Sequence, residues 1–125
     1  MNIHEHSIIS AKRFGGIPSD YDFIHAWFDQ FKLHLPDVRH RSLLHHSGGI
    51  SLCEQVHGFS FTRASDLVIL STRPVAENHI FVDMGCIPEP SWYLRELPVR
   101  NWHMGNISPS QRHRLRMLSI DEFIS

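Results

Sequence analysis

"DVRHRSLLHH", residues Asp37–His46, places three histidines, two arginines and an aspartate within ten positions of a segment that otherwise has helical periodicity. Read as the start of one helix running to about Val56, at roughly 100° per residue, it puts Leu43, His46, Ile50 and Cys53 on one side. His45 then lies near Leu52 and Val56, and His40 near Ser47 and Ser51. The three imidazoles point in three directions, so a single straight helix cannot aim them at one ion. Gly48-Gly49 lowers helix stability by about 1 kcal/mol per glycine relative to alanine, and makes room for a neighbouring backbone or a kink.

The segment before it predicts a partner helix. Ser19 is a good N-cap, and Asp20 and Asp22 suit the positive end of a helix. Tyr21, Ile24, Phe28, Phe31 and Leu35 recur at helical spacing from about Asp20 to Leu35. His25, Asp29 and Lys32 follow at i, i+4 and i+7 along the edge of that stripe. Pro36 ends this helix, and so tight a turn predicts antiparallel packing of the pair. His25 would then face the middle of the next helix, around His45 to Gly49.

Outward from the pair, His4 to Phe14 reads as a first helix with Ile8, Ile9 and Phe14 as its apolar members, ended by Gly15-Gly16. After Gly58 the period changes, and "FSFTRASDLVIL" predicts a small antiparallel hairpin between about Phe59 and Ser71. "PVAENHIFVDMG" returns to helix, opened by Pro74 and closed by Gly85, and "IPEPSWYLREL" forms a short helix. The expected fold is α+β and mainly helical: an antiparallel helix pair, a small β-hairpin and C-terminal helices. Residues 1–97 form the core domain. Residues 98–125 form a C-terminal extension with a helix near Pro109 to Leu118, whose "RHRLRML" gives it a basic face.

Composition bounds the function. The 125 residues are 42% hydrophobic and 20% charged, which suits one globular domain able to bury roughly two-thirds of its unfolded surface. No apolar run is long enough to span a bilayer. "MNIHEHSIIS" lacks the features of a signal peptide, so a cytoplasmic location is expected. Cys53 and Cys86 form no CxxC pair and read as reduced thiols. Cys53 has only His57 as a nearby base, and "FGGIPSD" and "SGGIS" lack the lysine and spacing of a phosphate loop. The anomaly is eleven histidines in a chain of net charge −1.

Imidazoles and carboxylates are the usual ligands of zinc, manganese, iron and nickel. The candidate metal ligands are His25, Asp29, His40, His45, His46 and His79, from a constellation that also holds His34 and Asp37. His79 and Asp83, at i, i+4 on their own helix, would complete the sphere from another element. Of the pair in the opening stretch, His45 is expected at the site, and His46 chiefly buried and hydrogen-bonded. Lys32, Arg39 and Arg41 are the candidate catalytic cations, able to hold a phosphate or carboxylate. Two readings follow. One is a metal-dependent hydrolase acting on a small phosphoester or nucleotide-like substrate, with a divalent transition metal as cofactor. The other is a non-enzymatic binding or regulatory protein whose histidines are structural or hold a structural metal. Either allows a homo-oligomer or a protein partner.

The stretches "HSIISAKRFGG", "PSDYDFIHAWFDQFKLHLPDVRHRSLLHHSGGI" and "ENHIFVDMGCIPEPSWYL" resemble a family of short uncharacterised bacterial and phage proteins, a domain of unknown function. The matching positions include His6, Tyr21, His25, Asp29, Lys32, Asp37, Arg39, His40, Arg41, His45, His46, Glu54, His79 and Trp92. The resemblance spans His6 to about Leu97 and implies no activity. The hairpin "SFTRASDLVILSTR" departs from that family's pattern. "DVRHRSLLHH" is also similar, over a short stretch, to the Asp…His-Arg…Thr-His signatures of some membrane-associated metal-dependent hydrolases, without a membrane segment to go with it.

With a net charge this close to zero, no salt-sensitive general DNA binding is expected at neutral pH. Fluorescence anisotropy on a duplex of arbitrary sequence checks this. Tight binding that weakens steeply between 50 and 200 mM salt, on the order of 10³-fold or more, would contradict it.

Overall fold

A computed structural model describes residues 1–95. The expected boundary at Pro98 and the basic helix near Pro109 lie outside the described residues. The first compact unit is Met1–Pro88, and a second begins at Glu89. Within the second, the described part is α6, Pro90–Leu94, which has a proline in its first turn. Among the described residues no helix is long and apolar enough to cross a membrane.

The first unit is built from helices with one small hairpin, an α+β arrangement that is mainly helical, as expected. Helix α1 spans Ile3–Phe14. Asn2 caps it by accepting from the Glu5 amide at 2.8 Å, and the Glu5 carboxylate accepts back from the Asn2 amide at 3.3 Å. The helix forms as expected, and of its apolar members Phe14 packs partly buried against the core, while Ile8 and Ile9 are only half-buried. The buried residues are His6, Ser7 and Ser10. They face polar partners, Asp83, Asp22 and His25, so an apolar stripe there would leave those groups unpaired.

Helix α2, Asp22–Phe28, is half the length expected. From Asp29 the chain tightens into a 3₁₀ turn over Gln30–Leu33. The Gln30 side-chain amide donates to the Trp27 carbonyl at 2.8 Å, which competes for an acceptor that an α-helix would use. The segment after the proline is likewise not one helix. It divides into a 3₁₀ turn, Val38–His40, a single α-turn α3, Arg41–Leu44, and helix α4, Ser47–His57.

The break falls on two histidines. His45 sits at φ −81°, ψ 62°, and the His46 amide donates to the Leu44 carbonyl at 2.8 Å, which makes His45 the centre of an inverse γ-turn. His46 is extended and caps α4, its Nδ1 accepting from the Gly49 amide at 3.0 Å. Gly49 is required where the chain folds back. A Cβ there would stand 1.7 Å from the Leu44 carbonyl oxygen.

Strands β1, Ser60–Thr62, and β2, Ile69–Ser71, pair antiparallel with Phe61 opposite Leu70. The buried Arg63 at the end of β1 donates to the Phe14 carbonyl at 2.8 Å and pairs with Asp66. It thus ties the hairpin to the negative end of α1. Helix α5, Thr72–Met84, closes with Gly85 at φ 75°. The apolar core is small: Tyr21, Ile24, Phe28, Leu44, Ile50, Cys53, Val75, Ala76 and Ile80. Beside it lies a second interior of polar side chains, contributed by α1, α2, α5 and the turn at His45.

Gly49→Ala is expected to destabilise the fold by at least about 2 kcal/mol, since the clash is with backbone and only a shift of the γ-turn relieves it. Gly48→Ala, on the exposed side of the same helix, should be neutral or stabilising. Urea denaturation of the two variants measures the contrast, and equal effects would refute this account of the break.

Candidate metal centre

Four side chains converge from three separated parts of the chain. Asp29 comes from the end of α2, His45 from the γ-turn, and His79 and Asp83 from successive turns of α5. One donor atom from each lies within 4.8 Å of all the others. His45 Nε2 and His79 Nε2 are 3.1 Å apart. Asp29 Oδ1 is 3.5 Å from His45 Nε2 and 3.3 Å from His79 Nε2. Asp83 Oδ2 is 3.1 Å from His45 Nε2 and 3.5 Å from His79 Nε2. An ion holding four such ligands tetrahedrally at 2.0–2.1 Å imposes ligand–ligand separations of roughly 3.3 Å. All five of these distances bracket that value.

The break at His45 is what resolves the helical-wheel problem. Because the chain leaves helical geometry there, His40 and His45 both turn inward, with side chains 4% and 0% exposed. His46 is directed elsewhere. Its Nδ1 serves the Gly49 amide and its Nε2–H donates to the Leu43 carbonyl at 3.0 Å. Both ring nitrogens are thus engaged in capping, and the residue is only half-buried. The structure does not bring it to the cluster as a ligand.

His25 lies behind His79 and outside the quartet. Its Nδ1 is 2.8 Å from His79 Nδ1, and its Nε2 is 2.7 Å from Ser10 Oγ, all within the interior. With His79 Nδ1–H donating to His25, and His25 Nε2–H donating to Ser10, the lone pair of His79 is left on Nε2, facing the quartet. Partners of this kind fix the tautomer and aim of a ligating imidazole. His6, His25 and His79 also form a buried group, but their rings stack at 20–23° to one another. Lone pairs in nearly parallel rings do not converge on a common ion. His6 instead reaches Asp83 Oδ1 through Nε2, at 3.1 Å.

The cations divide. Lys32 Nζ is 3.4 Å from Asp29 Oδ2 and Arg41 Nη2 is 3.8 Å from Asp83 Oδ1, so each carboxylate of the quartet has one positive neighbour. Arg39 points away and pairs with Asp37 at 2.9 Å, its side chain 75% exposed. His34 is exposed as well. Sequence reasoning missed His6 and Ser10 as supports of the site. Their signal was the i, i+4 spacing of polar residues on α1, which the apolar residues beside them masked.

Burial pushes the His25 imidazole down to about 3, helped by His79 and His6. Burial likewise pushes His79 down to about 4, with His6 and His45 adding to the effect. Burial opposes charge on His45 too, but its hydrogen bonds to Asp29 and Asp83 outweigh that and raise it. Burial disfavours ionised Asp29 and Asp83, yet hydrogen bonding from His45 to both, with His6 also serving Asp83, holds them well below the usual carboxylate range. Beside the two carboxylates His25 and His79 are therefore held neutral, while His45 favours its proton, which a metal ion would have to displace. Burial raises the Cys53 thiol to about 12, which removes it as a nucleophile at neutral pH.

The chain belongs to the family described as "Domain of unknown function (DUF6915)", whose model matches residues 1–103. No curated protein and no solved structure matches it.

The histidine shifts set a pH dependence for the metal-free protein. Between pH 6.5 and about 4 the unfolded chain takes up protons at positions 25 and 79 and the native chain does not. Stability therefore falls as pH falls through that window, by up to about 2.7 kcal/mol per unit for two groups. His46 and His57, also lowered by burial, add in the same direction. His45, raised in the fold, contributes stability already fully present below 6.5, and the two aspartates contribute stability still fully present above about 4, so neither cancels the trend. Urea melts in chelator at pH 7.0, 6.0 and 5.0 measure the slope, and His79→Gln should reduce it. A flat profile would contradict the buried neutral assignment.

Proposed function

We propose that this protein is a metal-dependent hydrolase acting on a small phosphoester or nucleotide-like substrate. The observation that carries the reading is the convergence of donor atoms from His45, His79, Asp29 and Asp83 within 4.8 Å of one another, the imidazole–imidazole and imidazole–carboxylate pairs at 3.1–3.5 Å. Two imidazole nitrogens and two carboxylate oxygens suit zinc, manganese, iron or nickel. On this reading Asp29, His45, His79 and Asp83 would hold one such divalent ion, and the chemistry it would supply is activation of water and polarisation of a phosphoryl oxygen. Two aspartates neutralise a divalent ion, and Lys32 and Arg41, each beside one aspartate, leave the site positive. A net positive site attracts an anionic ester and stabilises the charge that develops on it. His25 and Ser10 keep His79 in the ligating tautomer, and His6 holds the outer oxygen of Asp83. Arg39 has no part in the chemistry.

One observation favours a second reading. The side chains of the quartet are 0–5% exposed, and structural metal sites are closed where catalytic ones keep a position for water. A structural metal in a binding or regulatory protein gives the same ligand set without turnover.

Metal analysis of the tag-free protein, combined with hydrolysis of p-nitrophenyl and bis-p-nitrophenyl phosphate, separates the two. The hydrolase reading expects bound transition metal and metal-dependent turnover. His45→Ala and His79→Ala should lose metal affinity by at least about tenfold and turnover to background. Arg39→Ala should leave both unchanged. Bound metal without turnover on either ester, with a large fall in melting temperature on chelation, establishes the structural reading. Absence of any bound metal refutes both metal readings and leaves a binding or regulatory protein whose histidines are structural.

A further inference from the structure

We infer that a second divalent cation binds between Asp29 and His40, so that Asp29 bridges two ions and the centre is dinuclear. The inference rests on the metal-centre reading above and extends it to a site outside the quartet.

His40 is 3% exposed and closes the 3₁₀ turn Val38–His40, which Asp37 caps. Its Nδ1 lies 2.7 Å from the Asp37 carbonyl oxygen. A carbonyl only accepts, so Nδ1 carries a proton, and in the neutral ring Nε2 carries the lone pair. That Nε2 is buried without a hydrogen-bond partner, 3.6 Å from Asp29 Oδ1. Asp29 Oδ2 is also buried without a hydrogen-bond donor. Its nearest cation, Lys32 Nζ, stands 3.4 Å away on a side chain 38% exposed. Two buried acceptors on adjacent residues thus lack a donor. Buried groups of this kind destabilise the fold when left unsatisfied, the more so when charged.

The other carboxylate shows the contrast. The outer oxygen of Asp83, Oδ1, is met by His6 Nε2 at 3.1 Å and by Arg41 Nη2 at 3.8 Å. No corresponding imidazole donor serves the Asp29 side, because His40 presents a lone pair there. A cation satisfies the imidazole and the carboxylate together. One nitrogen and one or two carboxylate oxygens, completed by solvent or substrate, suit manganese, iron or zinc better than calcium. Ions sharing a carboxylate in this way stand about 3.5–4 Å apart, the spacing that clamps the attacking and leaving oxygens of a phosphoester. The substrate class that this deepens is therefore an ester of phosphate able to span two cations.

The test uses the full-length, tag-free chain, stripped with chelator and titrated with Mn(II). The stoichiometry is read by elemental analysis and the spin coupling by electron paramagnetic resonance. Two ions per chain and an exchange-coupled spectrum are expected at saturation. His40→Ala should bind one ion and give the six-line spectrum of isolated Mn(II). One ion per chain in the parent, uncoupled, overturns the dinuclear inference and leaves the single centre standing, with water holding the gap at His40. No ion in the parent overturns both. Two ions retained by His40→Ala overturns the inference alone. Should His40→Ala fail to fold, the stoichiometry and spectrum of the parent decide the question by themselves.

Discussion

Two aspartates buried against two imidazoles are the constraint on which the rest of the structure depends. Asp29 and Asp83 stay ionised in the interior because His45 and His79 stand between them. An ionised carboxylate taken out of water without a partner costs several kcal/mol, and removing one member of a buried pair is more damaging than its modest net worth suggests. Much of the fold serves to hold this arrangement. The γ-turn at His45, the early end of α2 at Asp29 and the polar inner face of α1 each depart from regular amphipathic helix. Each brings a polar group to the cluster. Among the described residues the apolar core has nine buried members, of which Phe28 packs against the rings of His45 and His79.

The supports extend outward in an order set by hydrogen-bond chemistry. Ser10 fixes His25, and His25 fixes His79. His6 and Arg41 meet the outer oxygen of Asp83. The Asp37 carbonyl fixes the tautomer of His40 and turns a lone pair towards Asp29. A stable apo-protein would more simply fill this volume with apolar side chains, which often match or exceed a buried ion pair in stability. Asp29, His45, His79 and Asp83 instead bring their donor atoms within 4.8 Å of one another, an arrangement that could hold a cation.

Much of this was legible from residue spacing. The i, i+4 relations of His25 with Asp29 and of His79 with Asp83 placed those side chains on common helix faces, and the change of period at Gly58 marked the hairpin that is observed. The family resemblance read from the same residues agrees with the family match over residues 1–103, a domain of unknown function. What spacing could not show was the break at His45. It depends on a backbone turn, on an imidazole serving as an N-cap, and on Gly49 admitting the Leu44 carbonyl. Histidine is not a usual cap, so a helix drawn straight through His46 was the natural reading. Helix α1 itself was legible, but spacing did not show that His6, Ser7 and Ser10 would be its buried residues. Spacing also drew α2 past Asp29, because the stripe continued through Phe31 and Leu35 while the backbone tightened. In all three places tertiary demand for polar groups overrode local periodicity.

X-ray absorption at the edge of whichever metal co-purifies with the tag-free protein tests the central claim most directly. The account predicts a nearest shell of nitrogen and oxygen only, at about 2.0–2.2 Å, with the outer-shell scattering of imidazole rings. A sulfur shell near 2.3 Å, or scattering without an imidazole contribution, would contradict the centre at Asp29, His45, His79 and Asp83.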